Sequence, residues 1–199
     1  MQLLIATHNR GKLIEYQGIL AGLPLELVTL DHVGIKEDIA ESGATFAENA
    51  RLKATAYARA SAMLTLADDS GLQVDALGGE PGVYSKRYAG EHATDAERVN
   101  YLLYKLKDVP AQARTARFRC AIAIASPSGE VWESDGTVEG EIAFVPRGKN
   151  GFGYDPIFYF PKLGVTMAEL PAFEKNKISH RAKAGERARQ ILQRIAPSS

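Results

Sequence analysis

Apolar residues open the chain as a short run, Leu3 to Ala6, and then give way to the polar turn THNRGK. Leu13, Tyr16 and Leu20 follow at helical spacing, so the first segment predicts strand, loop and helix. LELVTL (25–30) predicts a second strand, and a polar loop runs from Asp31 to Ala44. In TFAENARLKATAYARASA, Thr45 and Glu48 carry the T-x-x-E signature of a capping box and fix a helix start. MLTLA (63–67) then predicts a strand that ends at the acidic pair of ADDSGL, Asp68 and Asp69, before a Ser-Gly turn.

The second half has a different texture. From Gly71 to Ala93 the chain is rich in glycine and broken by Pro81, which predicts an ordered functional loop in place of regular structure. Thr94 and Glu97 form a second capping box, opening a helix with Val99, Leu102, Leu103 and Leu106 on one side. RFRCAIAIA and VWESDGTV are two strands joined by the turn SPSGE, a hairpin whose outer face carries Arg and Glu. PRGKNGFGYDPIFYF is a Gly-rich loop feeding a strand, and a last helix packs through Ala188, Ile191, Leu192 and Ile195. With no internal repeat and no linker, these elements predict one α/β domain, residues 1–199, with a mixed sheet.

Composition narrows the partners. Lys and Arg number 24, as do Asp and Glu, so there is no overall pull toward a nucleic acid polymer or an acidic membrane, and anion binding must come from local placement. No apolar segment has signal-peptide or transmembrane length, and the one cysteine, Cys120, suits a reducing cytosol as a small buried hydrophobe. A cytoplasmic protein is expected.

Five places could carry chemistry. The turn Thr7-His8-Asn9-Arg10-Gly11-Lys12 leaves a strand and enters a helix, where free backbone N–H groups and the dipole favour an anion; a plain Asn-Gly turn with a solvated lysine fits as well. Asn49 and Lys53, four residues apart, share a helix face with Phe46, so Lys53 either reaches a phosphate in a cleft or is an ordinary solvated charge. Asp68 and Asp69 repel one another unless a cation, a proton or hydrogen bonds relieve them; with Glu41 they could supply hard oxygen ligands to magnesium, or one Asp could cap the following turn. GKNGFGYDP either lets backbone approach a ligand beside the rings of Phe152 and Tyr154 or is a plain Gly-rich hairpin turn, and Lys175, Ser179, His180 and Arg181, near the start of the last helix, read a base or phosphate or simply form a polar helix start. His8, His32 and His92 lack zinc spacing.

THNRGK, ESGATFAENARLKA, ADDSGL, GGEPGVYSKRYAG, GFGYDPIF and ISHRAKA occur in that order across essentially the whole chain. In this the sequence resembles the inosine triphosphate pyrophosphatase family, also called Ham1-like or non-canonical purine nucleoside triphosphate pyrophosphatases. The resemblance implies an elongated mixed β-sheet flanked by helices, in two lobes with the active site in the cleft between them, and a homodimer. It implies magnesium-dependent hydrolysis of ITP, dITP and XTP to monophosphate and pyrophosphate, clearing deaminated purines from the nucleotide pool. Carried over residue by residue, it implies Asp69 as general base and Glu41 and Asp69 as metal ligands; the residues themselves leave Asp68 as a further ligand or a turn cap. Thr7, His8, Asn9, Arg10, Gly11, Lys12, Lys53 and Lys175 would bind substrate, with Ser70, Phe152, Gly153, Tyr154, Asp155, His180 and Arg181 completing the nucleotide pocket. Donors such as Arg181 would accept a 6-oxo purine and face adenine's amino group with another donor. A triphosphate sensor that does not cleave, and a Maf-like pyrophosphatase of other nucleotides, are the competing classes.

Overall fold

The computed structural model describes residues 1–195. In chain order its strands are β1 (Gln2–Ile5), β2 (Glu26–Thr29), β3 (Thr65–Val74), β4 (Thr115–Ala125), β5 (Val131–Ile142), β6 (Phe158–Phe160) and β7 (Val165–Thr166). Its helices are α1 (Arg10–Ile19), α2 (Phe46–Ser61), α3 (Asp95–Lys105), α4 (Ala172–Ile178) and α5 (His180–Ile195). All seven strands form one sheet in the order β2-β1-β3-β4-β5-β6-β7. β1 pairs in parallel with β2 and β3, while β6 pairs antiparallel with β5 and β7, so the sheet is mixed and the class is α/β. Among the described residues no helix is long and apolar enough to cross a membrane.

The described residues divide into two compact units: the first holds Met1–Asp69, Cys120–Gly136 and 180–195, the second Ser70–Arg119 and Thr137–Ser179. The first unit's core joins Leu3 and Ile5 of β1, Tyr16 and Ile19 of α1, Leu66 of β3 and Ile122 and Ile124 of β4 to Ala184, Ala188 and Leu192 of α5. That i, i+4, i+8 triplet is the inner stripe of α5, with Ile191 and Ile195 packed half-buried beside it. Small residues bring the backbones close. A Cβ on Gly136 of β5 would strike the His180 carbonyl and the Ala184 amide, and Ser134 Oγ donates to the Ala184 carbonyl at 3.0 Å. The site residues at the start of α5 are thereby held against a strand.

The second unit packs Leu72 and Val74 of β3 and Val99 and Leu102 of α3 around an aromatic cluster. In it Phe158 lies 4.7 Å from Phe118 and 5.3 Å from Phe160, centroid to centroid, at tilted and edge-on angles that suit the ring quadrupoles. The Thr94–Glu97 capping box forms in full, with Thr94 Oγ1 accepting the Glu97 N–H at 3.2 Å and Glu97 accepting the Thr94 N–H at 2.7 Å. At α2 only half of the expected box forms: Thr45 Oγ1 accepts the Glu48 N–H, but the Glu48 carboxylate reaches back one residue further, to the Ala44 N–H at 2.7 Å.

One expectation is overturned. ADDSGL is not a strand end followed by a turn; it lies inside the ten-residue β3. The buried Leu72 and Val74 continue the strand's inward alternation past Ser70 and Gly71, and sheet pairing outweighs the local turn preference of Ser-Gly. The segment expected as loop from Gly71 therefore begins as strand and becomes irregular only at Asp75, where short 3-10 turns cover Asp75–Leu77 and Gly82–Arg87.

Gly136→Ala should destabilise the protein by about 1–3 kcal/mol through overpacking against α5. Urea denaturation would check this, and an unchanged midpoint would refute the close approach.

Candidate active site

Side chains alternate along a strand, so Asp68 and Asp69, adjacent on β3, enter different surroundings. Both are buried, Asp68 at 2% exposure and Asp69 at 6%. Asp68 meets α1 and α5: its Oδ2 accepts from Lys12 Nζ at 3.0 Å and from Arg181 Nε and Nη2 at 3.3 and 3.2 Å. Arg181 also reaches Glu15 of α1 at 2.5 Å. Asp69 instead meets α2, accepting from the Asn49 amide at 3.0 Å and lying 3.8 Å from Lys53 Nζ.

These surroundings drive the two carboxyls apart. Burial alone would raise Asp68, but Lys12, then Arg181 and Lys53 hold it well below the usual carboxylate range. Burial raises Asp69 and the Glu41 charge adds to that, against the pull of Lys53, Lys12 and the Asn49 hydrogen bond. Asp68 is thus a fixed anion, and Asp69 is the more basic of the pair. Burial depresses Lys53, yet Asp69, Glu41 and Asp68 outweigh it and leave its ammonium raised.

Glu41 arrives from the polar loop before α2, and the loop is tied to the helix it precedes. Asn49 Oδ1 accepts the Gly43 N–H at 2.8 Å, on the other side of the amide from Asp69. A Cβ at Gly43 would sit 2.7 Å from both Asn49 Oδ1 and Glu48 Cβ, so only glycine lets the loop lie this close. Upstream, the Tyr57 hydroxyl donates to the Glu37 carbonyl and accepts from the Ile39 N–H. So held, Glu41 Oε1 lies 2.7 Å from Lys53 Nζ, and one ammonium faces both Glu41 and Asp69. Lys53 is buried, which decides against a solvated charge. Among the described residues no group of three or more His, Cys, Asp and Glu is arranged to hold a metal ion.

At the start of α1, Asn9 is the N-cap: its Oδ1 accepts the Lys12 N–H at 3.2 Å, and Thr7 Oγ1 accepts the Asn9 N–H at 3.1 Å. These polar groups of the turn therefore build the helix start, and Lys12 points to Asp68. His8 is exposed, with its ring nitrogens 3.9 Å from Asp31 and from Asp38. Arg10 and Gly11 form the first helical turn. Ser70 is half-buried on β3, Ser179 and His180 are buried where α4 gives way to α5, and Cys120 lies buried 3.7 Å from Asp68. Burial, with the Asp68 charge beside it, pushes the Cys120 thiol up to about 12.

The second unit gathers the remaining candidates. Asp155 accepts the Phe152 N–H at 2.9 Å and pairs with Lys175 of α4, whose ammonium sits 4.8 Å from the centre of the Phe152 ring. Gly151 has φ +77°, and a side chain there would collide with the Asp155 carboxylate. The Gly153 N–H donates to Asp95 at 2.7 Å, and the buried Tyr154 hydroxyl donates to the Ser85 carbonyl at 3.0 Å. Phe152 and Gly153 stay partly exposed while Tyr154, Asp155 and Lys175 are buried, so the loop presents a ring and a cation on a rigid base.

Two expectations change here. Asp68 is not a turn cap, because no turn follows it and its oxygen is taken by Lys12 and Arg181. Arg181, expected as a donor to a purine base, is 1% exposed and directs its guanidinium at Glu15 and Asp68. Sequence reasoning also passed over Glu15 and the Asn49–Asp69 bond. Glu15 had a signal: it stands one turn before the buried Ile19, on the inner face of α1, where a carboxylate needs a cation.

A mixed sheet whose strand β3 carries two buried carboxylates, faced by lysine ammoniums from α1 and α2, defines an α/β protein with a buried charged centre. Residues 3–191 match the Ham1 family, and the chain belongs to that family. It is 50% identical to a dITP/XTP pyrophosphatase of Bacillus subtilis over 190 residues, 96% of each chain, and 49% identical to one of Geobacter sulfurreducens over 92% of each. Among solved structures it resembles a HAM1 protein from Coxiella burnetii, with TM-score 0.88 and 44% identity over 98% of this chain and 99% of that one. A nucleoside-triphosphatase, dITP/XTP pyrophosphatase, from Mycobacterium abscessus matches with TM-score 0.73 and 39% identity over the full length of both.

Asn49→Ala would strip a partner from both Asp69 and the loop that carries Glu41. It should cost about 1–3 kcal/mol of stability and lower turnover about 10- to 100-fold, checked by thermal denaturation and pyrophosphate release; wild-type turnover would refute the bridging role.

Proposed function

We propose that the protein hydrolyses non-canonical purine nucleoside triphosphates, ITP, dITP and XTP, to the monophosphate and pyrophosphate. The observation that carries this is the convergence of Glu41 and Asp69 on one cationic point, Lys53 Nζ, 2.7 and 3.8 Å away. Two hard carboxylates aimed at one positive centre fit magnesium, which takes few protein ligands and shares phosphate oxygens. Glu41 and Asp69 would hold Mg2+, which when bound supplies charge neutralisation and polarisation at the phosphates.

The chain's own residues supply the rest. Water adds across the anhydride between the α and β phosphates: its oxygen bonds to phosphorus, the bridging P–O bond breaks, and its proton passes to the Asp69 carboxylate. Asn49 orients that carboxylate through its 3.0 Å hydrogen bond. Lys53, Lys12 and the start of α1, from Thr7 to Gly11, offset charge on the phosphates and the leaving pyrophosphate. We assign the Phe152 ring, fixed in place by Gly153, Tyr154, Asp155 and Lys175, to stacking on the base, and Ser70 and His180 to substrate binding. A hydrogen-bond donor facing the 6 position would suit the 6-oxo group of hypoxanthine and xanthine and clash with adenine's amino group. The shape of the site near Phe152 would reject guanine's 2-amino group. We place the enzyme in the cytoplasm as a homodimer acting on free nucleotides, not on nucleic acid polymers or at a membrane.

Pyrophosphate release from ITP, XTP, dATP, dGTP and dTTP, with and without magnesium, tests this. Turnover of ITP and XTP should exceed the others and vanish when magnesium is chelated. Equal turnover of all five would overturn the substrate assignment in favour of a broad Maf-like enzyme, and no turnover would indicate a sensor. Asp69→Asn should reduce kcat about 100-fold or more while ITP still binds; retained turnover would remove the base role from Asp69.

A further inference from the structure

The cations on Asp68 differ in how firmly they are held. Arg181 is 1% exposed along its side chain and is shared with Glu15, whereas the Lys12 side chain is 14% exposed and extends from the first turn of α1. Both converge on one oxygen, Oδ2, while Oδ1 has no hydrogen-bond partner among the described residues. If Lys12 leaves, the buried Asp68 still faces the Arg181 guanidinium, which it shares with Glu15, so the carboxylate keeps part of its counter-charge in place of none. A lysine ammonium on a flexible stem suits such an exchange better than a guanidinium with several donors fixed.

We propose that Asp68 is a positioning residue that parks Lys12: the lysine rests on Asp68 and transfers to the polyphosphate when substrate binds, while Arg181 remains as the permanent counter-charge. Parking keeps Lys12 mostly shielded from water on Asp68, and the exchange replaces one anion by another at the same ammonium. Asp68 therefore weakens ground-state binding of the polyanion, because its bond to Lys12 competes with the phosphates. The proposal rests on the assignment of Lys12 to the phosphates made above.

A double-mutant cycle on polyanion binding tests it. The wild type, Asp68→Asn, Lys12→Gln and the double variant would be titrated calorimetrically with inorganic tripolyphosphate in the presence of magnesium. Asp68→Asn should tighten binding roughly 3- to 10-fold with Lys12 present and by less than about two-fold with Lys12→Gln, since one released lysine carries the gain. Equal changes in both backgrounds, or weaker binding with Lys12 present, would overturn parking. Should Asp68→Asn fail to fold, a crystal structure of the wild type with magnesium and tripolyphosphate decides. Lys12 Nζ should then touch phosphate oxygen while Arg181 stays on Asp68, and Lys12 still bonded to Asp68 overturns the proposal. Because tripolyphosphate carries no base and need not be cleaved, these outcomes are independent of ITP turnover, on which the proposed function stands or falls.

Discussion

The two-residue period of a β-strand is the constraint on which the charged centre depends. Adjacent aspartates on β3 cannot share an environment, because the pleat sends their side chains to opposite faces. One meets α1 and α5, the other α2, and the chemistry of each carboxylate follows from the helix it meets. A one-residue slip of β3 would turn every side chain to the other face, putting Asp69 where Asp68 stands and Ser70 where Asp69 stands. Register and catalytic assignment are therefore one property, and the parallel pairing of Leu4 with Thr65 and Ile5 with Leu66 beside the pair fixes both.

Around this strand the polar groups are arranged in relays. Asn49 links Asp69 to Gly43, the bonds of Gly43 and Ala44 to α2 place Glu41, and Glu41 with Asp69 faces Lys53. On the other face Arg181 links Glu15 to Asp68, and Asp68 meets Lys12. In these two relays each buried charge faces one of opposite sign from another part of the chain, as a low-dielectric interior demands. Removing one member would leave another exposed to its own desolvation cost, so these groups tie elements together as well as preparing them for a ligand.

Much of this was legible in the sequence where a local rule carried it. The helical stripes of α3 and α5, the Thr94–Glu97 box and the shared face of Asn49 and Lys53 follow from spacing alone. The failures occurred where tertiary pairing overrode a local preference. Ser70 and Gly71 look like a turn until sheet pairing and the buried Leu72 and Val74 draw them into β3. Arg181 looks like a ligand donor beside Ser179 and His180 because nothing near it in sequence supplies a carboxylate; its partners stand 113 and 166 residues away. Separation of that kind leaves no periodicity to read.

The burial of Cys120 has a practical corollary. Its thiol is 1% exposed and held in its protonated form by its surroundings, so oxidants and alkylating reagents meet no thiolate in the folded protein. Since it is also the chain's single cysteine, covalent labelling of native protein reports how often β4 opens to solvent beside Asp68. Without any engineering, the molecule carries a chemical clock for the breathing of its own charged centre.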